Sequence, residues 1–253
     1  MIFVFSRLFA QKKKLLFLLV WIPVVTLVFS VFRRDDVLPI GVELCGFDGY
    51  MLFQESFVFL VAVGIPTLFF ISSSRLYDVH AVYTLHYRSR RRLCLTQALA
   101  SFAVCFAVSV YLVFCVFLIS RFIFPTAYNW MEEGSQYWYQ TRELGPEVLS
   151  EGVMVLSTAL FSFLLLCLNT LLFDLAEQWI PFRGAAWFVV LFYTLLSDRG
   201  ILSSYMPSAL ILMGYSDYSA MKFPLVGYGA VLLILFWMTV LLLLKIEVKD
   251  FYK

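Results

Sequence analysis

The sequence predicts an all-α, polytopic membrane protein with six transmembrane helices, an N-terminal interfacial helix and a re-entrant segment between helices five and six. Three observations lead there. Of 253 residues, 62% are hydrophobic and only 14% charged, against roughly 45–50% and 25% in soluble globular chains. Mean hydropathy is +0.88, and 27 Phe with 14 Tyr are more than a water-soluble core of this size hides, so the bilayer must solvate much of the surface. Finally, the uncharged runs are Leu15–Phe32, Ser56–Ser74, Leu93–Ser120, Gly152–Phe173, Gly184–Ser197, Gly200–Ser216 and Phe223–Leu244, and a crossing helix needs about 20 such residues.

The first ten residues, MIFVFSRLFA, are apolar with one Arg, which suits an interfacial helix over 1–14 on the inner leaflet. Span one follows. Arg33-Arg34-Asp35-Asp36 after Phe32 offers no small-residue cleavage site, so this is a retained helix rather than a signal peptide. The fifth run is short and reaches full length if its helix begins near Trp179 with Arg183 snorkelling to the headgroups. Gly200, Pro207 and Gly214 interrupt the sixth run. We therefore read 200–222 as a segment that enters the membrane and returns, tolerable only where protein or a water-lined cavity satisfies its backbone.

Charge sets the orientation. With six crossings and both termini cytoplasmic, thirteen of the 19 Lys and Arg lie inside, about two to one, as the positive-inside rule requires. A seventh crossing would put Lys245, Lys249 and Lys253 outside. The formal net charge of +2 argues against a nucleic-acid partner and leaves membrane lipids as the surroundings. Of the five Cys, four sit in apolar runs and only Cys45 in a polar loop, which supports no disulfide framework.

Two loops are substantial. In the cytoplasmic loop 75–92, Leu76, His80, Tyr83 and Tyr87 fall at helical spacing, with Val79, Val82 and His86 broadening the stripe. Arg88, Arg90, Arg91 and Arg92 close it, a placement that suits a helix C-terminus and anionic headgroups. The pattern reads either as a membrane-surface helix or as a docking helix for a cytoplasmic partner. In the outer loop 122–150, Tyr128, Trp130, Tyr137, Trp138 and Tyr139 suit an element at the outer interface, and Glu132 with Glu133 suits a solvated acidic face.

Catalytic chemistry finds little support. The two His, His80 and His86, are six apart, no HExxH occurs, and the Cys form no CxxC. A Ser–His pair would need one of these His to reach a membrane serine. The assigned spans carry no internal charge of the kind that ion-coupled carriers use as relays. Their polar residues are Thr26, Thr67, Gln97, Ser101, Ser109, Ser157, Thr158, Ser162, Asn169, Thr170 and Thr239, for which interhelical hydrogen bonding is the expected role. No Lys follows a Gly, so no phosphate-binding P-loop is present. The chain carries no nucleotide site or other cofactor of its own, and ATP would be bound by a partner subunit.

This order of parts, with a first cytoplasmic loop ending in Tyr87-Arg-Ser-Arg-Arg-Arg-Leu93, a short second one at Asp174–Arg183 and an interrupted apolar piece before the last span, resembles the type-2 permease subunits of bacterial ABC exporters, in particular the compact ones of peptide, antibiotic or lantibiotic export and immunity. The resemblance implies a coupling helix at 76–87 seated in an ABC ATPase subunit. It also implies pairing with a second permease subunit, a path lined by Leu15–Phe32, Ser56–Ser74 and Trp179–Ser197, and a cap formed by Gly200–Ser216. Two other readings stay open: a membrane scaffold or immunity protein that acts by binding, and an intramembrane enzyme using His80, His86, Glu132 or Glu133.

Overall fold

The computed structural model describes residues 10–34, 41–54, 56–73, 90–126, 128–141, 150–180, 184–198 and 225–251. These residues are helical, without a β-strand. In chain order they form α1 (Lys12–Arg34), α2 (Gly46–Tyr50), a 3-10 turn (Met51–Gln54), α3 (Ser56–Phe59), a π-turn (Leu60–Gly64), α4 (Ile65–Ser72), α5 (Arg90–Ile123), α6 (Gln136–Thr141), α7 (Glu151–Trp179), α8 (Ala185–Asp198) and α9 (Leu225–Phe251). Three helices, α1, α5 from Arg92 onward, and α7, are long and apolar enough to cross a membrane; Phe57–Ser72, Ala185–Ser197 and Ala230–Leu244 are shorter apolar stretches. That composition points to a membrane location.

Helix α7 is the central post. It packs against α4, α5, α8 and α9, while α1 packs on α2, α4 and α5. Two thirds of its apolar window (67%) is buried within the chain, against 28% for α1 and 39% for α5. The outward faces of α1 and α5 present Leu16, Phe17, Val20, Phe106, Phe114 and Phe122, a surface only lipid or another apolar helix can cover. Helix α7 starts where Ser150 caps it, its hydroxyl accepting from the Val153 N–H at 3.4 Å, with Glu151 in the first turn where the helix dipole favours an acid. It ends at Trp179. Ile180 is extended (φ −106°, ψ 122°) because it precedes Pro181, whose ring disfavours a helical predecessor.

That ending changes two expectations. The fifth helix does not begin near Trp179; Trp179 closes α7 and the next helix starts at Ala185. Asp174, expected to open a loop, is 3% exposed inside α7. At the other termini, Lys12–Lys14 form the first turn of α1, and Arg90–Arg92 the first turn of α5. The dipole argument for the basic cluster therefore acts with the opposite sign on these three arginines, since they stand at a helix N-terminus.

The helix after Ser56 is interrupted by its own sequence. Pro66 has no N–H to give to Ala62, four residues back. The ladder slips there, with the Ile65 N–H reaching Leu60 O across a π-turn. The open Ala62 carbonyl accepts instead from the Trp21 indole of α1 at 2.8 Å. Gln11 and Ser73 tie the far ends of the same two segments, Gln11 Nε2 donating to Ser73 O at 2.8 Å and the Ser73 hydroxyl bonding Gln11 Oε1. Lys14 lies 4.5 Å over the Phe69 ring.

Candidate functional site

Two polar constructions stand out in this apolar bundle. The first is a cap at the end where α1 and α5 finish and α7 begins. Glu43 N–H donates to Gly134 O (2.8 Å) and Gln136 N–H to Glu43 O (3.3 Å), and Asn129 Nδ2 adds a bond to the same carbonyl at 3.2 Å. Beneath this seam Asp48 is fully buried. Its carboxylate accepts from the Cys45 backbone N–H at 2.7 Å and from the Trp130 indole at 2.9 Å, two donors that offset the cost of burying a charge. Trp130 stacks on Tyr137 with centroids 4.8 Å apart and planes 3° from parallel, and Phe47 meets Tyr128 edge-on at 5.8 Å. Gly49 lets α2 sit on α1: a Cβ there would come 3.3 Å from Ser30 Oγ.

The aromatic residues expected at the outer interface are thus divided. Trp130 and Tyr137 are wholly buried, Trp138 and Tyr128 half-buried, and only Tyr139 is exposed. Cys45, expected in a polar loop, is also buried without exposed surface. Burial, followed by the neighbouring Asp48 charge, pushes its thiol pKa well up; burial does the same to the Tyr128 phenol. Glu132 and Glu133 are exposed on a turn.

The second construction is a polar stripe on α7. Thr158, Ser162 and Asn169, spaced i, i+4 and i+11, lie within about 40° of one another around the helix and are 0%, 0% and 1% exposed. They face the segment that descends beside α7. Tyr50 reaches the upper pair, its hydroxyl 2.9 Å from Ser162 Oγ and donating to Thr158 O at 3.3 Å. Phe59 packs edge-on against Phe161. At the level of the π-turn, a Cβ on Gly64 would lie 3.7 Å from Asn169 Nδ2 and 2.9 Å from Leu60 Cδ1, so glycine gives the carboxamide its close approach. Among the described residues, neither polar atom of Asn169 has a hydrogen-bond partner, and the same holds for Gln97 of α5 and for the Thr158 hydroxyl. An amide in apolar surroundings without a partner costs about 2–7 kcal/mol relative to water, and such groups need a reason.

The other span polar residues do less between helices than expected. Thr26, Thr67, Ser109, Thr170 and Thr239 hydroxyls each donate to the carbonyl four residues back, and Ser157 to the one three back. A hydroxyl satisfied by its own helix needs no neighbour. Between helices, Cys105 meets Thr170 (3.6 Å) and Tyr111 donates to Leu19 O at 2.8 Å, beside the Trp21 and Tyr50 bonds already described. Residue type alone flagged Asn169; its orphaned state is a tertiary fact.

Of the residues expected to dock a partner, Leu76, Val79, His80, Tyr83, Tyr87 and Arg88 lie outside the described residues, as do the segment 200–222, residues 1–9 and His86. Arg90, Arg91 and Arg92 are helical, with Arg92 exposed. Among the described residues no group of three or more His, Cys, Asp or Glu could hold a metal ion. No known family model, curated protein or solved structure matches the chain. The functional reading therefore stands on the chain's own residues.

Proposed function

We propose that this chain is the membrane-spanning subunit of an ATP-driven exporter of the ABC type-2 permease kind, moving an amphipathic peptide, antibiotic or lipid-like substrate with energy from a separate ATPase subunit. On this reading it crosses a bacterial cell membrane six times with both termini cytoplasmic and pairs with a second permease subunit.

The observation that carries the reading is that Thr158 and Asn169, on the polar stripe of the most buried of the three long helices, are unsatisfied among the described residues. An anchor has no use for Asn169 and Thr158 at the centre of an apolar bundle, whereas a protein that must let a partly polar molecule pass does. The two-to-one cation bias supports the orientation, and the segment 75–92 is the inner stretch with enough length and apolar spacing to engage an ATPase. A binding-only scaffold or immunity protein is the second reading, favoured by the rigidity of the Asp48–Trp130 cap. The enzyme reading has only the exposed pair Glu132 and Glu133 among the described residues, with no base placed beside it.

Purification of the chain from its native membranes in mild detergent, with identification of any P-loop ATPase that accompanies it, tests the proposal. A stoichiometric complex whose ATP hydrolysis depends on the membrane chain is expected. A chain that purifies alone with full biological activity overturns it in favour of binding.

A further inference from the structure

We infer that Asn169, framed by the π-turn Leu60–Gly64, is a contact point for the transported molecule, pairing with a group that offers both a hydrogen-bond donor and an acceptor, as a peptide amide does. The inference rests on the permease reading for what the ligand is. It rests on the geometry alone for where the contact lies.

Three observations converge on this position. The carboxamide presents an unused donor and an unused acceptor while only 1% of the residue is exposed, so in this closed arrangement its hydrogen-bonding capacity is held in reserve. The facing backbone is Gly64, which brings the carboxamide close without a side chain of its own. That backbone is also the irregular stretch of its helix, where the ladder shifts at Leu60–Gly64 ahead of Pro66. Mid-membrane irregularity of this kind is tolerated where protein or a polar cavity supports it, and π-turns concentrate at functional positions. Thr158 and Ser162 continue the same face toward the cap, giving a polar column about 16 Å long at 1.5 Å per residue. Leu171, two residues on in sequence and about 160° round α7 from Asn169, is equally buried at 1% exposure and serves as the apolar reference.

The test uses the full chain in its own membranes. In a background with the five native cysteines replaced by alanine, Asn169→Cys and Leu171→Cys are each exposed to 2-aminoethyl methanethiosulfonate, a small hydrophilic thiol reagent. Labelling at position 169 at least tenfold faster than at 171 is expected; equal rates overturn the inference. Should that background fail to fold, the native chain carrying Asn169→Leu provides the second reading. An amide unpaired in the resting fold makes this substitution raise the melting temperature, and a lower melting temperature means that the amide is paired internally and overturns the inference. Slow labelling at 169 with the ATPase still copurifying removes the contact point alone. Absence of the ATPase from the parent protein removes the permease reading, a result that neither labelling nor melting can mimic.

Discussion

The indole N–H of Trp21 donates at 2.8 Å to the carbonyl of Ala62, the acceptor that Pro66 leaves open because it has no N–H. One helix thus supplies a donor to the backbone of another at a part-buried contact. Trp21→Phe should destabilise the protein by about 1–3 kcal/mol, the cost of a buried acceptor left without its donor. In a Pro66→Ala background the residue-66 N–H is restored, and the same substitution should cost much less. A double-mutant cycle on detergent-solubilised protein measures the difference; equal costs in both backgrounds would show that the indole acts by packing only.

Asp48 and Trp130, 82 positions apart, join the two halves of the cap. Trp130→Phe keeps the stack on Tyr137 but removes a donor from a buried carboxylate. A loss of about 1–3 kcal/mol follows, read as a lower unfolding midpoint and faster proteolysis between 124 and 141. Asp48→Ala also frees the Cys45 N–H, so it should cost more than Trp130→Phe, and the double variant should cost little more than Asp48→Ala alone because the indole bond is already lost.

Cys45 should resist thiol reagents. It is fully buried, and burial with Asp48 nearby holds the thiol protonated well above its ordinary range. Because the folded-state pKa is raised, the cap's contribution from this group is intact at neutral pH and falls away only as alkaline pH passes the unfolded value. A membrane-impermeant maleimide at pH 7.5 should leave Cys45 unlabelled until the protein is denatured. Rapid labelling of the native protein would mean that the cap opens.

Much of this architecture is legible in the sequence because hydropathy and length are local properties. Each apolar run assigned to a span coincides with helix over its described residues, while Gly200–Ser216, read as re-entrant, lies outside them. What escapes is what depends on distant partners. Nothing near Cys45 in sequence says that Trp130 and Asn129 cover it, and nothing near Tyr50 says that its hydroxyl reaches Ser162. The end of α7 is readable from Ile180-Pro181, since a residue before proline leaves the helix, whereas the uncharged run stops at Phe173 and hides it. Counting polar residues in spans overstated their links between helices because a threonine hydroxyl is satisfied as well by its own carbonyl four residues back. Asn169 is different in kind, as its carboxamide remains unpaired.

The central claim is that energy enters through a partner ATPase, and coupling between the segment 75–92 and that partner tests it most directly. Aromatic anchors often dominate an interface, with truncations costing about 2 kcal/mol or more. The decisive measurement is the amount of P-loop ATPase that copurifies with the parent chain and with Tyr83→Ala and Tyr87→Ala, together with the ATP hydrolysis of each preparation. A stoichiometric ATPase with the parent, reduced at least tenfold in the variants while membrane insertion is unchanged, is the expected result. A parent chain that retains no ATPase, or variants that bind and hydrolyse as the parent does, would contradict it.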